Sequence, residues 1–255
     1  MMARCYHARR DKRQAGGTVG KEDWYRNVFW DPWTAAVFER RLARKRSKGQ
    51  YLRIQASYLT RTSPWAALRL LERYFALKDP SDNARAYIDQ SNAHLTLGRV
   101  ERAIDSLRDG VLHEQADGHR RRAGASVAFA RLVAIKRRWD LAEEALSFLD
   151  KDQTDGGRTF PVEQYRRHGA RALLLAAAGR QAEAIHDARL AIEAAGLRRS
   201  WSWKHPTLGL VGPTLDGFGR RIRAVAFPEL AAPVRLLVGL GWVAAPQRPS
   251  SSPLP

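Results

Sequence analysis

The chain is poor in thiol, in acid and in long apolar runs, and each shortage excludes a class of protein. Cys5 is the only cysteine among 255 residues, so no intrachain disulfide forms and no zinc cluster rests on thiolates. No apolar run approaches the roughly 20 residues that a membrane-crossing helix needs. Residues 1–14 are basic and hold no apolar stretch, so no secretory signal is expected there. A reducing, cytoplasmic setting is the expectation that follows. Acidic residues number 26 against 44 Lys and Arg, a formal charge of +18. Lysine is itself scarce, confined to Lys12, Lys21, Lys45, Lys48, Lys78, Lys136, Lys151 and Lys204, so arginine carries the excess. A charge of that size keeps nucleic acid open as a partner. With 44% hydrophobic and 27% charged residues, the remaining composition is that of a folded globular chain.

The motifs that would carry catalysis or a cofactor are incomplete. The segment Ala15-Gly16-Gly17-Thr18-Val19-Gly20-Lys21-Glu22 has the outline of a phosphate-binding loop. That loop requires Gly first, Ser or Thr after the Lys to meet magnesium, and a preceding strand. Ala15 and Glu22 stand in those places after a polar tail, so the segment reads as a linker. His7, His94, His113, His119, His168, His186 and His205 show no spacing that places two ligands on one helix face. His94 and His168 fall inside apolar helical segments and read as packing or groove residues. Cys5 has no neighbouring base to activate it. The expectation is a non-enzymatic protein with no catalytic residue, no metal and no cofactor.

Three segments repeat the same pattern of an apolar helix, a tight turn and a small residue five positions on. The first runs from Tyr87 through Leu97-Gly98-Arg99 to Ala103. The second runs from Val127 through Lys136-Arg137-Arg138 to Ala142, and the third from His168 through Ala178-Gly179-Arg180 to Ala184. Each is a helical hairpin: the glycines end a helix cheaply at positive φ, and the small residue lets the second helix cross close to the first. Leu141, Ala145 and Phe148, and Ile185, Ala188 and Ala191, then form buried stripes at helical spacing. A degenerate unit precedes these, with one helix over Tyr51–Leu59 and a second from Trp65 to Leu77, opened by Ser63 as N-cap and Pro64 at the first helical position.

The Leu-Gly-Arg-x-x-x-Ala of residues 97–103, the Ala-Gly-Arg-x-x-x-Ala of 178–184 and the Arg-Arg-Trp-Asp-x-Ala of 137–142 resemble the tetratricopeptide repeat. The resemblance covers roughly residues 48–197, with Arg137 standing where that family has a turn glycine. Gln50-Tyr51-Leu52-Arg53-Ile54-Gln55-Ala56, together with the later His205-Pro206 and Gly209-Leu210-Val211-Gly212, is similar to a group of uncharacterised bacterial repeat proteins. The resemblance implies an all-α solenoid of about four hairpins, with capping helices at its N- and C-terminal ends. The expected organisation is a disordered basic tail over 1–20, the solenoid with its caps over 21–227, and an Ala/Pro-rich, largely disordered tail over 228–255.

In such a solenoid the first helix of each hairpin lines a concave side. The resemblance therefore implies a groove faced by Arg85, Ile88, Asn92 and Leu95, then Val127 and Arg131, then Arg166 and Leu173. An apolar floor with Arg at intervals suits an extended or helical segment carrying carboxylates. Asn92 and Arg166 fit the polar positions with which some repeat proteins clamp a terminal carboxylate, whereas Ile88, Ala128 and Ala170 depart from them. The expected partner is a protein or acidic peptide. RNA or DNA held by the basic faces is the alternative, no membrane is expected, and the oligomeric state stays unassigned.

Outside the repeats, Asp31-Pro32-Trp33 starts a helix to about Lys48 with Val37, Phe38 and Leu42 on its apolar face. Thr214–Phe227, with Leu215, Phe218, Ile222 and Val225, is the expected C-terminal cap. Trp24, Tyr25, Phe29, Trp30 and Trp33 read as an anchor on the first hairpin, with base stacking as the sharper alternative. The interleaved Arg198-Arg199-Ser200-Trp201-Ser202-Trp203-Lys204-His205 reads as a loop packing both tryptophans against the cap. Arg40-Arg41, Arg44-Lys45-Arg46, Arg120-Arg121-Arg122 and Arg220-Arg221 read as solvated faces.

Overall fold

The structure, a computed structural model, describes residues 23–78, 82–117, 123–152, 159–212 and 216–229. All regular structure among them is helical: α1 (Pro32–Ala43), α2 (Lys48–Leu59), α3 (Pro64–Ala76), α4 (Asn83–Thr96), α5 (Val100–Ala116), α6 (Ala125–Lys136), α7 (Ala142–Lys151), α8 (Pro161–Ala177), α9 (Gln181–Gly196) and α10 (Gly217–Ala226). A 3₁₀ turn over Trp139–Leu141 leads into α7. The tail expected over 1–20, most of that over 228–255, and the Arg120–Arg122 run lie outside the described residues.

The three repeated turns share one geometry. Gly98, Arg137 and Gly179 have φ of +73°, +56° and +78°. In each case the next N–H donates to the carbonyl five residues back: Arg99 to His94 at 2.9 Å, Arg138 to Val133 at 3.0 Å and Arg180 to Leu175 at 2.9 Å. This closure satisfies carbonyls that a helix end leaves free and reverses the chain within a few residues. Glycine reaches the left-handed region freely, whereas a side chain there costs about 1–2 kcal/mol, so Arg137 holds its conformation against a local penalty. Ala103, Ala142 and Ala184 follow each turn by five residues and are buried, where the second helix begins its crossing.

Where the sequence reading takes residues 21–227 as one array, the chain divides into two compact units with the boundary inside α6, after Phe129. In the first, α2 pairs with α3 and α4 with α5, and α3 packs on α4. Phe38, Leu52, Leu59, Leu71 and Tyr74 are buried in its core. Trp24 is buried with them, 5.4 Å from the Phe38 ring and 5.0 Å from that of Tyr51. Gln55 of α2 is buried and fastens the leading segment, donating to the Asn27 carbonyl at 2.7 Å and accepting from the Asn27 backbone N–H at 3.1 Å. The aromatic anchor is therefore built from Trp24, Tyr25 and Trp30, while Phe29 and Trp33 stay exposed.

Two expectations need correction here. α1 stops at Ala43 and not near Lys48, because residues 43–48 are all exposed and none holds another turn against the core. The chain bends there, and the Lys45 ammonium settles 5.6 Å from the Tyr51 ring centroid. Ser63 precedes α3 without making a side-chain cap hydrogen bond, so Pro64 at the first position, not the Ser63 hydroxyl, marks this helix start. By contrast, Asp31 caps α1 through the Thr34 N–H at 2.7 Å, which holds its carboxyl below the ordinary range.

Arg53 of α2 ties its helix to α4, placing Nε 2.9 Å from Asp82 and Nη1 3.4 Å from Asp89. Burial pushes the Asp89 carboxyl up to about 7 from its ordinary 3.8, against the pull of Arg53. Between those values the folded chain keeps a proton that the unfolded chain has released, so this group's contribution to stability falls as pH rises from about 4 to about 7. Asp89→Asn, which does not titrate, is expected to gain in Tm relative to wild type when pH is raised from about 5 to 8. Paired thermal melts at the two pH values check this, and a difference between the proteins that ignores pH would refute it.

In the second unit α8 pairs with α9, α7 packs on α8, and α10 lies against both α8 and α9. α10 begins at Gly217, capped by Asp216 accepting from the Gly219 N–H at 2.8 Å; Thr214 and Leu215 of the expected cap helix lie outside the described residues. Phe218, Ile222 and Ala226 form its buried face. Gly169 of α8 makes that approach feasible, since a Cβ there would sit 2.5 Å from Ile222 Cδ1. Arg221 donates to the Ala134 carbonyl at 2.8 Å, closing the last turn of α6. Inside the α8–α9 hairpin the buried Asp187 meets His168 Nδ1 at 2.7 Å and the Arg171 guanidinium. Burial alone would raise the Asp187 carboxyl, but these partners outweigh it and hold it below its ordinary value.

Candidate functional site

Each unit holds its own part of the expected groove. In the first, Arg85, Ile88, Asn92 and Leu95 share one face of α4 by their spacing. Arg85 and Asn92 are exposed, and Ile88 and Leu95 half-buried. Asn92 and Leu95 line an open cleft of about 480 Å³ with Thr60, Arg61 and Thr96, between the α2–α3 turn and the end of α4. Arg61 went unnamed in the sequence because it belongs to a turn, whereas groove positions are counted along helices. His94, one residue before Leu95, is buried; burial and then Arg102 and Arg99 pull its pKa below 6.5, so it packs as an uncharged ring at neutral pH. Val127 is half-buried on α6 in this same unit.

In the second unit the structure brings Arg131 of α6 and Arg166 of α8 into one electrostatic environment. Arg131 is half-buried, its guanidinium carbon 5.3 Å from the Phe218 ring centroid, and its Nε is buried without a hydrogen-bond partner. Burial lowers its pKa and the neighbouring Arg166 charge lowers it further, with Asp216 and Tyr165 opposing. Tyr165 adjoins them, 8% exposed, with its hydroxyl unpartnered and its pKa raised by burial and then by Asp216. The Asp216 carboxylate is engaged in capping α10. Neither arginine has an ion-pair partner among the described residues. The Arg131 Nε and the Tyr165 hydroxyl are thus buried donors without partners, in the electrostatic reach of the Arg166 charge.

Leu173 leaves the site. It is 4% exposed, because α8 is flanked by α7, α9 and α10 and buries most of its circumference, including Ala170, Ala172, Leu174 and Leu175. Tyr165 is the residue that sequence reasoning missed. Its position one residue before Arg166 is visible in the sequence, but the lack of any partner for its hydroxyl is a property of the packed helices.

The basic-aromatic loop also differs from expectation. Trp201 stacks on Phe160 at 5.1 Å, and Trp203 is 83% exposed, so it does not pack on the cap. Among the described residues no group of His, Cys, Asp and Glu is arranged to hold a metal ion, and no helix is long and apolar enough to cross a membrane. Comparison with protein-family models, with curated proteins and with solved structures finds no match for this chain.

Proposed function

We propose that the chain is a tetratricopeptide-like helical-hairpin solenoid acting as a non-enzymatic scaffold, and that it binds an acidic protein or peptide segment along a concave groove. The identical closures at Gly98, Arg137 and Gly179 support the repeat reading. The observation that carries the binding reading is the Arg131–Arg166 pair beside the unpartnered Tyr165 hydroxyl. Arg131 and Arg166 repel each other and the one carboxylate acting on Arg131, Asp216, is engaged in capping α10, so a ligand that brings a carboxylate would be favoured there.

The test is binding of a fluorescent peptide alternating Glu and Leu. Arg131→Glu or Arg166→Glu is expected to weaken binding roughly 10- to 100-fold, the worth of one charge-assisted hydrogen bond. Arg40→Glu, an exposed position on α1, makes the same charge change and is expected to leave binding within about twofold. Equal losses at all three positions would mean that net charge alone attracts the peptide. The second reading, nucleic acid on basic faces, rests on the +18 charge.

A further inference from the structure

The loop from Leu197 to Gly212 holds an aromatic side chain in solvent with unusual firmness. Its base is fixed to the start of α8: the Val162 N–H donates to the Gly209 carbonyl at 2.8 Å, and Gly209, at φ +72°, lies so close to Phe160 that a Cβ would meet the ring at 2.5 Å. Trp201 stacks on the other partner of that contact, the same Phe160 ring. Across the loop the Ser200 N–H donates to the Pro206 carbonyl at 2.7 Å, and the Ser202 carbonyl accepts from the His205 N–H at 3.1 Å. Trp203 sits within this closed stretch and is 83% exposed. Burying an indole is favoured over leaving it in water, so a loop this well braced around an exposed one points to a partner for the ring.

The charges say which partner. Between Glu193 and Asp216 the chain carries no acidic residue, while Arg198, Arg199 and Lys204 are all exposed and have no ion-pair partner among the described residues. The Lys204 ammonium lies 5.1 Å from the Trp203 ring centroid and also lines an open hollow of about 660 Å³ with His205 and Leu208. A flat π face with a cation beside it, and more cations a few residues back, matches a base with its phosphate and the next phosphates of the strand. We infer that this loop binds single-stranded nucleic acid, with one unpaired base stacked on Trp203 and the backbone held by Lys204, Arg198 and Arg199. The site is separate from the Arg131–Arg166 pair and takes a different ligand, so either reading can fail alone.

The experiment is fluorescence anisotropy of a labelled oligothymidylate of about 12 nucleotides at about 150 mM salt. Trp203→Ala is expected to weaken binding roughly 5- to 100-fold, the range of one base-aromatic stack, with Trp203→Phe recovering most of it. Trp33→Ala, which removes another exposed indole, is expected to bind as wild type. Replacing Arg198, Arg199 and Lys204 together by Ser is expected to flatten the salt dependence by about two units of slope. A duplex of the same length is expected to bind more weakly, since its bases are already stacked. Unchanged binding by Trp203→Ala, or a duplex bound as tightly as the single strand, would overturn the inference. So would anionic phosphatidylserine vesicles whose binding alone depends on Trp203. The variants change only exposed side chains, and circular dichroism melts matching wild type establish that they are folded.

Discussion

Ala184→Trp is expected to disrupt the α8–α9 hairpin, with a loss of more than about 3 kcal/mol and a fall in Tm on the order of 10 °C or more. Ala184 is fully buried five residues beyond the turn at Gly179, at the start of the helix that crosses back over α8. An indole there forces the two helices apart or pushes its neighbours off their rotamers, since a packed interior has no room to take it up. Ala103→Trp, the equivalent change beyond Gly98, is expected to act the same way on α4 and α5. Ala182, two residues earlier than Ala184 and exposed, supplies the comparison: Ala182→Trp should melt close to wild type. Equal melting of all these proteins would show that the small-residue register is misplaced.

Glu114→Ala is expected to cost about 3–5 kcal/mol, because it strips several charge-assisted hydrogen bonds from one helix start. Glu114, in the last turn of α5, is 5% exposed. Its carboxylate accepts the backbone N–H groups of Ala123, Gly124 at 2.8 Å and Ala125 at 3.0 Å, where α6 begins. Those donors have no helical acceptor of their own, and the carboxylate also opposes the positive end of the helix. Glu114→Gln keeps the shape and one acceptor oxygen and is expected to recover part of the loss. Urea unfolding of the three proteins measures the difference, and an Ala variant within about 0.5 kcal/mol of wild type would remove Glu114 from this role.

These two positions show what a sequence can disclose. The hairpins are legible because each uses local signals: apolar spacing near 3.6, a turn residue, and an alanine five residues on. Arg137 is legible only through its register with Ala142, since nothing about an arginine announces a positive φ. Glu114 is not legible at all, because its partners lie 9–11 residues away across a connection whose path the local pattern does not specify. In the candidate site, Arg131 and Arg166 follow from counting along helices, and the Arg166 charge acts on Arg131. Leu173 follows from the same counting and ends in the core, because the count knows nothing of α10 lying over α8. Trp203 reads as packed because its loop follows the last repeat helix, yet the ring is 83% exposed, which the position of the loop in the sequence does not reveal.

The repeated turns also bear on how the chain folds. α4 and α5 are joined by Leu97–Arg99, α8 and α9 by Ala178–Arg180, and α2 and α3 by Thr60–Ser63. Each pair thus meets after closing a very short loop, and closing a short loop costs little chain entropy. Contacts of low sequence separation place a helical protein at the fast end of folding rates, in microseconds to milliseconds. A hairpin that forms this quickly spends little time exposing its apolar stripes, which limits the chance for two unfinished chains to associate through them. The tight closures at Gly98, Arg137 and Gly179 are therefore expected to shorten the time for which apolar faces stay open while the chain folds.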